Sequence, residues 1–514
     1  QDMQFWRIEQ KIGHRVVLLT GKDKLSVQLP CITLYQVGTF NHAQRSVTMK
    51  HADIGLIGLG TMGAALALNI ADNGFDVAVW NRTTQVTHDF ANNAGDLSVK
   101  VHATDTLADL VKAIAKPRAI ILMVPAGSAV DEQIAALRPL LDPDDMIIDA
   151  GNANFHDTNR RAAEAGELPF LGIGVSGGEE GARFGPSIMG GGAREHWDRA
   201  APILTAIAAK YNGIPCATWM GPQGAGHFVK AVHNGIEYAD MQMIAEAYGV
   251  MRDGLGMDAE AIGTAFADWD KGALKSYLTA ISAKVAKAVD PETGLPMLEV
   301  IVDAAGQKGT GRWTAIEAQH LAAPIPAIEA AVVARNLSSQ RDKRALGESI
   351  FGAAPQRVSG ISLETLQGAL IAGKILCYAQ GFEMIGKASD QFGWKLPSPA
   401  IAEVWREGCI IRSEMLNDMA SALTQDADRN LMFAPFFADL LKTHHGALRQ
   451  VVAQAALNGI AMPALASGLA YFDAMRTARG TANMIQGQRD FFGAHGFERT
   501  DGRKDQHGPW AASA

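Results

Sequence analysis

The stretch DIGLIGLGTMGAALALNIADNGFDVAVWNRT, residues 53–83, decides the reading of this chain. Its first eight residues are an apolar strand that runs into glycines. Residues 61–74 then carry apolar side chains at helical spacing and close at Gly74, and 75–81 read as a second strand. At the strand–helix junction Gly58, Gly60 and Gly63 form a G-x-G-x-x-G pattern, filled by Leu59, Thr61 and Met62. Glycines there permit a tight turn, let backbone N–H groups approach a pyrophosphate, and seat the helix close to the strand. The unit is expected to bind a dinucleotide. Where an NAD site offers Asp or Glu to the ribose 2′-hydroxyl, this chain has Asn81, Arg82 and Thr83. No carboxylate repels a 2′-phosphate and Arg82 can pair with one, so NADP is expected over NAD.

Strand-like runs recur at 118–124, 145–150, 170–176 and 186–191, separated by amphipathic helical stretches. That rhythm predicts a mainly parallel sheet with helices on both faces, a Rossmann-type α/β domain over 49–224. From about 223 the texture turns to alanine-rich helical periodicity, which predicts a large all-α domain over 225–480. Residues 481–514, rich in Gly, Arg and Gln, form a tail that is either disordered or ordered against another subunit. Residues 1–48 read as an extension ahead of Met49, with an appended β-rich segment as the rival reading.

The 514 residues carry 46 Lys+Arg against 54 Asp+Glu, a net charge of −8. With no global basic field, neither nucleic acid nor a membrane surface is an expected partner, and an anionic ligand must be held by local charge. Cys31, Cys216, Cys377 and Cys409 are scattered without a C-x-x-C spacing, which argues against a disulfide framework and a zinc site and for a reducing, cytoplasmic setting. No apolar run is long enough to span a bilayer. No metal is expected; the adjacent His444 and His445 point to different azimuths of a helix.

KAVHNGIEYAD, residues 230–240, places polar groups inside a helical stretch. At about 100° per residue, Lys230, Asn234 and Glu237 share one face, with lysine and glutamate about 10 Å apart along the axis. Alone, this is a solvated helix face. Behind a dinucleotide-binding domain it becomes a candidate cleft wall.

Several further motifs occur in order: DAGN (149–152), GVSGGEEGARFGPSIM (174–189), GAGHFVKAVHNGIEY (224–238), KGTGRW (308–313), ARNLSSQRD (334–342), GCIIRS (408–413) and QRDFFGAH (488–495). With the glycine-loop start they make residues 53–498 closely similar to the 6-phosphogluconate dehydrogenase family. The resemblance implies NADP-dependent oxidation of 6-phosphogluconate at C3 and decarboxylation to ribulose 5-phosphate, a pentose phosphate reaction that needs no metal. It implies Lys230 as general base and Glu237 as the acid that protonates C1 of the enediol. It assigns Asn152, Ser176, Gly177, Gly178, His233 and Asn234 to the sugar acid and the nicotinamide end. Val124, Pro125 and Ala126 join the cofactor site. The phosphate falls to Tyr238, Lys308, Thr310, Arg335 and Arg489, with His495 helping. It further implies a homodimer whose ordered tails exchange, so that Arg489 and His495 serve the neighbour's site. Pro125, Ala150 and Gly190 depart from the family's usual residues, and Pro125 removes a possible charge near the cofactor. Shorter β-hydroxyacid dehydrogenases of the 3-hydroxyisobutyrate type share the glycine loop and the lysine but lack the phosphate segments. A silent NADPH-binding protein would have no need of both Lys230 and Glu237.

Overall fold

The computed structural model describes residues 51–307 and 309–510; the expected 1–48 extension, Cys31 and Lys308 lie outside the described residues. Ten strands are described: β1 (Ile54–Ile57), β2 (Val77–Trp80), β3 (Val101–Ala103), β4 (Ala119–Leu122), β5 (Met146–Asp149), β6 (Phe170–Ser176), β7 (Ser187–Gly192), β8 (Lys210–Tyr211), β9 (Ile214–Pro215) and β10 (Ala217–Gly221). Eight of them form one sheet in the order β10-β7-β6-β5-β4-β1-β2-β3. All its neighbours pair in parallel except β6 with β7. β1, β5, β6 and β7 are buried along their whole length, as expected of a sheet covered on both faces; the first three are apolar runs, whereas β7 is half glycine. Strand order reverses between β1 and β4, the switch point at whose carboxyl edge such sheets bind ligands. The expected helix after the glycine loop spans Thr61–Asp72 and ends through Asn73 into Gly74, whose φ of +96° is the left-handed turn that glycine allows.

From residue 225 the chain is helical, with Ala225–Gly249, Thr310–His320, Pro326–Ser338, Leu363–Phe392, Pro435–Leu457 and Pro463–Met475 among its elements. Three of these open on proline, which fits the first helical turn where no N–H partner is needed. Leu363–Phe392 is capped by the Ser362 hydroxyl accepting the Thr365 N–H, stops at Gly393 in the left-handed region, and is buried on almost every side. Helix 225–249 lies between this core helix and strands β6 and β7, so sheet and helical layer share it. No helix among the described residues is long and apolar enough to cross a membrane.

The tail is ordered over its described part. Helix Ala482–Gly493 buries only Asp490. That carboxylate accepts from the backbone of Gly496 (3.0 Å) and Gly508 (2.9 Å), from Trp510 Nε1 (2.8 Å), and pairs with His507 Nδ1 (2.6 Å). These donors, led by the Gly508 N–H, hold its pKa down to about 2 and fold the chain end back onto the helix.

The two long buried helices are joined by an ion pair. Lys374 Nζ lies 2.5 Å from Asp240 Oδ2, with both side chains almost inaccessible. Removing one partner strands a buried charge, so Lys374→Met is expected to cost about 3–5 kcal/mol, whereas Asp240→Leu combined with Lys374→Met regains most of it. Urea midpoints of the two variants check this; equal losses would contradict it.

Candidate active site

The glycine loop is shaped by close backbone contacts, one to the end of β4 and one within the loop. A Cβ on Gly58, which sits at φ +98°, would stand 2.4 Å from the Met123 carbonyl oxygen, and one on Gly63 would stand 1.9 Å from the carbonyl oxygen of Gly58. Gly60 meets nothing within 4 Å and no side chain caps the helix that starts behind it. The first and third glycines therefore close the turn, and the second leaves the positive helix terminus open to an anion. Asn81 anchors the loop from β2, its Oδ1 accepting the Leu59 N–H at 3.1 Å. Arg82 and Thr83 project beyond it into solvent, and Arg82 has no ion pair among the described residues. Val124 is half-buried and Pro125 and Ala126 are exposed, on the turn after β4. Asn152 is exposed on the loop after β5. All these positions follow the carboxyl ends of parallel strands around the switch point, and the cradle suits a dinucleotide.

The substrate side is built on helix 225–249, which approaches the sheet where the sheet has no side chains. A Cβ on Gly226 would lie 2.4 Å from the carbonyl oxygen of Met189, and one on Gly174 would lie 2.4 Å from the Lys230 Cβ. Lys230 is thereby pressed over β6, and its ammonium reaches the end of that strand at Ser176.

A directed chain of hydrogen bonds follows. Lys230 Nζ donates to Ser176 Oγ (3.0 Å) and to Asn234 Oδ1 (2.7 Å). Asn234 Oδ1 also lies 3.0 Å from His233 Nδ1, and Ser176 Oγ lies 3.2 Å from His233 Nε2. Because the amide oxygen only accepts, His233 carries its proton on Nδ1 and receives the serine hydroxyl on Nε2. Asn234 Nδ2 completes the chain by donating to Thr310 Oγ1 at 2.9 Å. Glu237 Oε2 stands 3.9 Å from His233 Nδ1.

Burial sets the protonation states. It lowers the pKa of Lys230 from the ordinary lysine value, against the pull of Glu237. It raises that of Glu237, against the charges of Lys230 and Arg335. His233, buried and beside Lys230, is held well below the ordinary imidazole value and stays neutral. A neutral Lys230 amine has two N–H groups, and Ser176 and Asn234 accept both. Nζ also lies 3.4 Å from His233 Nδ1, and the amine's lone pair is the site that can take a proton.

One turn further, the Arg335 guanidinium lies over the Tyr238 ring at 3.4 Å from its centroid, and the Arg335 Nη1 donates to the Gly306 carbonyl. Ser176, Lys230, His233, Asn234 and Thr310 are thus joined directly, with Glu237, Tyr238 and Arg335 on the same strip. Gly177 is buried against the Gly408 carbonyl, and Gly178 is exposed at the start of helix Gly178–Phe184. Arg489 and His495 are exposed on the tail, where Arg489 bonds Gln486 and His495 packs against Phe492; neither joins the Lys230 chain. Three supporting residues were given no role in the site from the sequence. Trp405 sets its ring edge-on to His233 at 5.6 Å, Cys409 is a buried thiol pushed up to about 12 by burial, and Gly174 makes room for Lys230. The segment GCIIRS pointed at Cys409; nothing local marked Trp405.

Comparison with known proteins agrees with this geometry. The NAD binding domain of 6-phosphogluconate dehydrogenase matches residues 53–221, and the C-terminal domain of 6-phosphogluconate dehydrogenase matches 226–510. The NADP(+)-dependent decarboxylating 6-phosphogluconate dehydrogenase of Bacillus subtilis (strain 168) is 44% identical over 469 residues, 90% of this chain and 100% of the relative. The NAD(+)-dependent enzyme of the same organism is 43% identical over 465 residues, 89% of this chain and 99% of the relative. Among solved structures, Plasmodium falciparum 6-phosphogluconate dehydrogenase, described free, with NADP+ and with 6-phosphogluconate, superposes with a TM-score of 0.86 at 37% identity, covering 89% of this chain and 100% of that one. Both halves are matched in order and the lysine chain lies where they meet: the chain belongs to the 6-phosphogluconate dehydrogenase family.

Proposed function

We propose that this chain catalyses the NADP-dependent oxidative decarboxylation of 6-phospho-D-gluconate to D-ribulose 5-phosphate, CO2 and NADPH. The observation that carries the reading is the buried Lys230 amine, its N–H groups committed to Ser176 and Asn234. NADP, when bound, supplies the hydride acceptor. Its cradle is the 58–63 loop, and Arg82 is the free cation placed for a 2′-phosphate. Because relatives of almost equal identity use NADP and NAD, local chemistry at Asn81 and Arg82 supports the choice better than overall similarity.

Lys230 takes the proton of the substrate 3-hydroxyl as C3 loses hydride. The ammonium so formed polarises the new carbonyl and stabilises the enolate left when the C1 carboxylate departs as CO2. Glu237, whose pKa burial raises, then protonates the carbon that lost CO2. Asn152, Ser176, Gly177, Gly178, His233 and Asn234 orient the sugar acid. Tyr238, Lys308, Thr310 and Arg335, with Arg489 and His495 from a second copy, hold the phosphate, since a chain of net charge −8 must bind a dianion with local cations.

On this reading residues 49–224 hold the cofactor, 225–480 the substrate and the dimer contact, and 481–514 reach the neighbour's site. Support for the homodimer comes from the tail helix, which leaves Met484, Ile485, Phe491 and Phe492 exposed at 66%, 59%, 71% and 73%. Cys216, Cys377 and Cys409 are free and buried, in keeping with a reducing cytoplasm.

The protein should reduce NADP and release CO2 with 6-phosphogluconate and not with 3-hydroxyisobutyrate. Lys230→Met should lower kcat by about 10³-fold, and Glu237→Gln by about 10²-fold, with NADP affinity unchanged in both. Oxidation of 3-hydroxyisobutyrate alone, or substantial turnover by Lys230→Met, would overturn the reading. Tail exchange has its own test. Co-expressed Lys230→Met and Arg489→Ala chains should regain about a quarter of wild-type activity, because one site of each mixed dimer combines an intact lysine with an intact partner tail. If each tail served its own subunit, no site would be whole and the mixture would stay inactive.

A further inference from the structure

His156, Glu317 and His320 converge on the far side of helix 225–249 from the Lys230 chain, and neither the reaction nor the cofactor uses them. His156 Nε2 lies 2.8 Å and His320 Nδ1 3.2 Å from the same carboxylate oxygen, Glu317 Oε2, and all three donor atoms fall within 4.8 Å of one another. Among the described residues this is the one His/Cys/Asp/Glu group with such convergence.

We propose that His156, Glu317 and His320 form a binding site for one divalent transition-metal ion of the zinc class. Two imidazoles and a carboxylate are the donor set such ions take, with donors about 3.3 Å apart around a tetrahedral centre, close to the two separations observed. Glu317 and His320 stand three residues apart on one helix, the E-x-x-H spacing that points both side chains to one side, and His156 comes from the first turn of helix Phe155–Ala165. The site is graded in exposure. The Glu317 side chain is 7% accessible, while the imidazoles are 53% and 64% accessible, which leaves an outer face for water and for metal entry. The His156 ring is fixed from behind by the Phe155 ring, with centroids 3.9 Å apart. The donors line a cavity of about 280 Å³ walled by Phe228, Val232, Trp313 and Met384, so there is room for the ring shifts that metal ligation requires.

The ion would be structural. Glu317 lies seven residues along the helix from Thr310, about 10 Å at the α-helical rise, so the metal is out of reach of the reacting atoms. It would cross-link the helix after β5 to the helix that receives the Asn234 hydrogen bond. Spacing alone did not reveal the group, because His156 and Glu317 are 161 residues apart.

The test uses the full chain, freed of metal with a chelator and titrated with Zn²⁺ against a zinc-binding dye, and separately with Co²⁺ followed by its visible absorption. One equivalent of zinc per chain should bind, with affinity falling at least about tenfold in each of His156→Ala and His320→Ala. Cobalt should give intense visible bands in the parent and not in the variants, while metal-free melting temperatures and NADPH-forming activity match the parent. Both histidines are exposed, so their removal should leave the fold intact, and melting curves report on that directly. No saturable zinc in the parent, or zinc affinity in both variants equal to that of the parent, overturns the proposal.

Discussion

Everything at the candidate site depends on how closely helix 225–249 approaches strands β6 and β7. Side chains normally keep packed layers well apart, about 10 Å in stacked sheets. Here glycines occur on both sides of the contact, so the Gly226 backbone nests against Met189 and Lys230 lies directly over Gly174. The lysine is buried without a neighbouring carboxylate in contact, and its head meets Ser176 at the strand end and Asn234 and His233 of its own helix. A Cβ at Gly174 would overlap the lysine itself, so this backbone approach is part of the site.

Burial then does the electrostatic work. The same desolvation moves Lys230 down and Glu237 up, towards one another, and holds His233 neutral between them. A lysine at its ordinary pKa is a spent base near neutral pH, and a glutamate at its ordinary pKa is a spent acid. Displaced in opposite directions, they suit the two proton transfers that bracket loss of CO2. A neutral His233 relays hydrogen bonds between Ser176 and Asn234 without adding a third charge. At the other end of the strip, half-exposed Arg335 lies over the Tyr238 ring.

Much of this was legible in the sequence. Residues 53–83 carry the strand, glycine turn, helix and second strand almost to the residue, because local propensity and the tight turn agree. The stripe of Lys230, Asn234 and Glu237 follows from helical geometry alone. Other features are tertiary and were not legible. The antiparallel turn of β7 against β6 follows from the short helix 178–184, which is too brief to cross the sheet and return in parallel. Asp490 looks like an ordinary surface acid until the chain end folds over it. Trp405 reaches His233 only through the packing of the helical layer. Motif similarity placed Arg489 and His495 among the expected phosphate contacts, but in the structure they stand apart from the Lys230 chain.

The central claim is that burial over the glycine-lined sheet turns Lys230 into a base. It is tested most directly by titrating the Lys230 side-chain nitrogen by NMR in lysine-labelled protein, with Lys230→Met identifying the signal. The account predicts proton release below the ordinary lysine value of 10.5, moving back towards that value when Gly174→Ala pushes the helix off the strand. Release at or above 10.5 in the unaltered protein would contradict it.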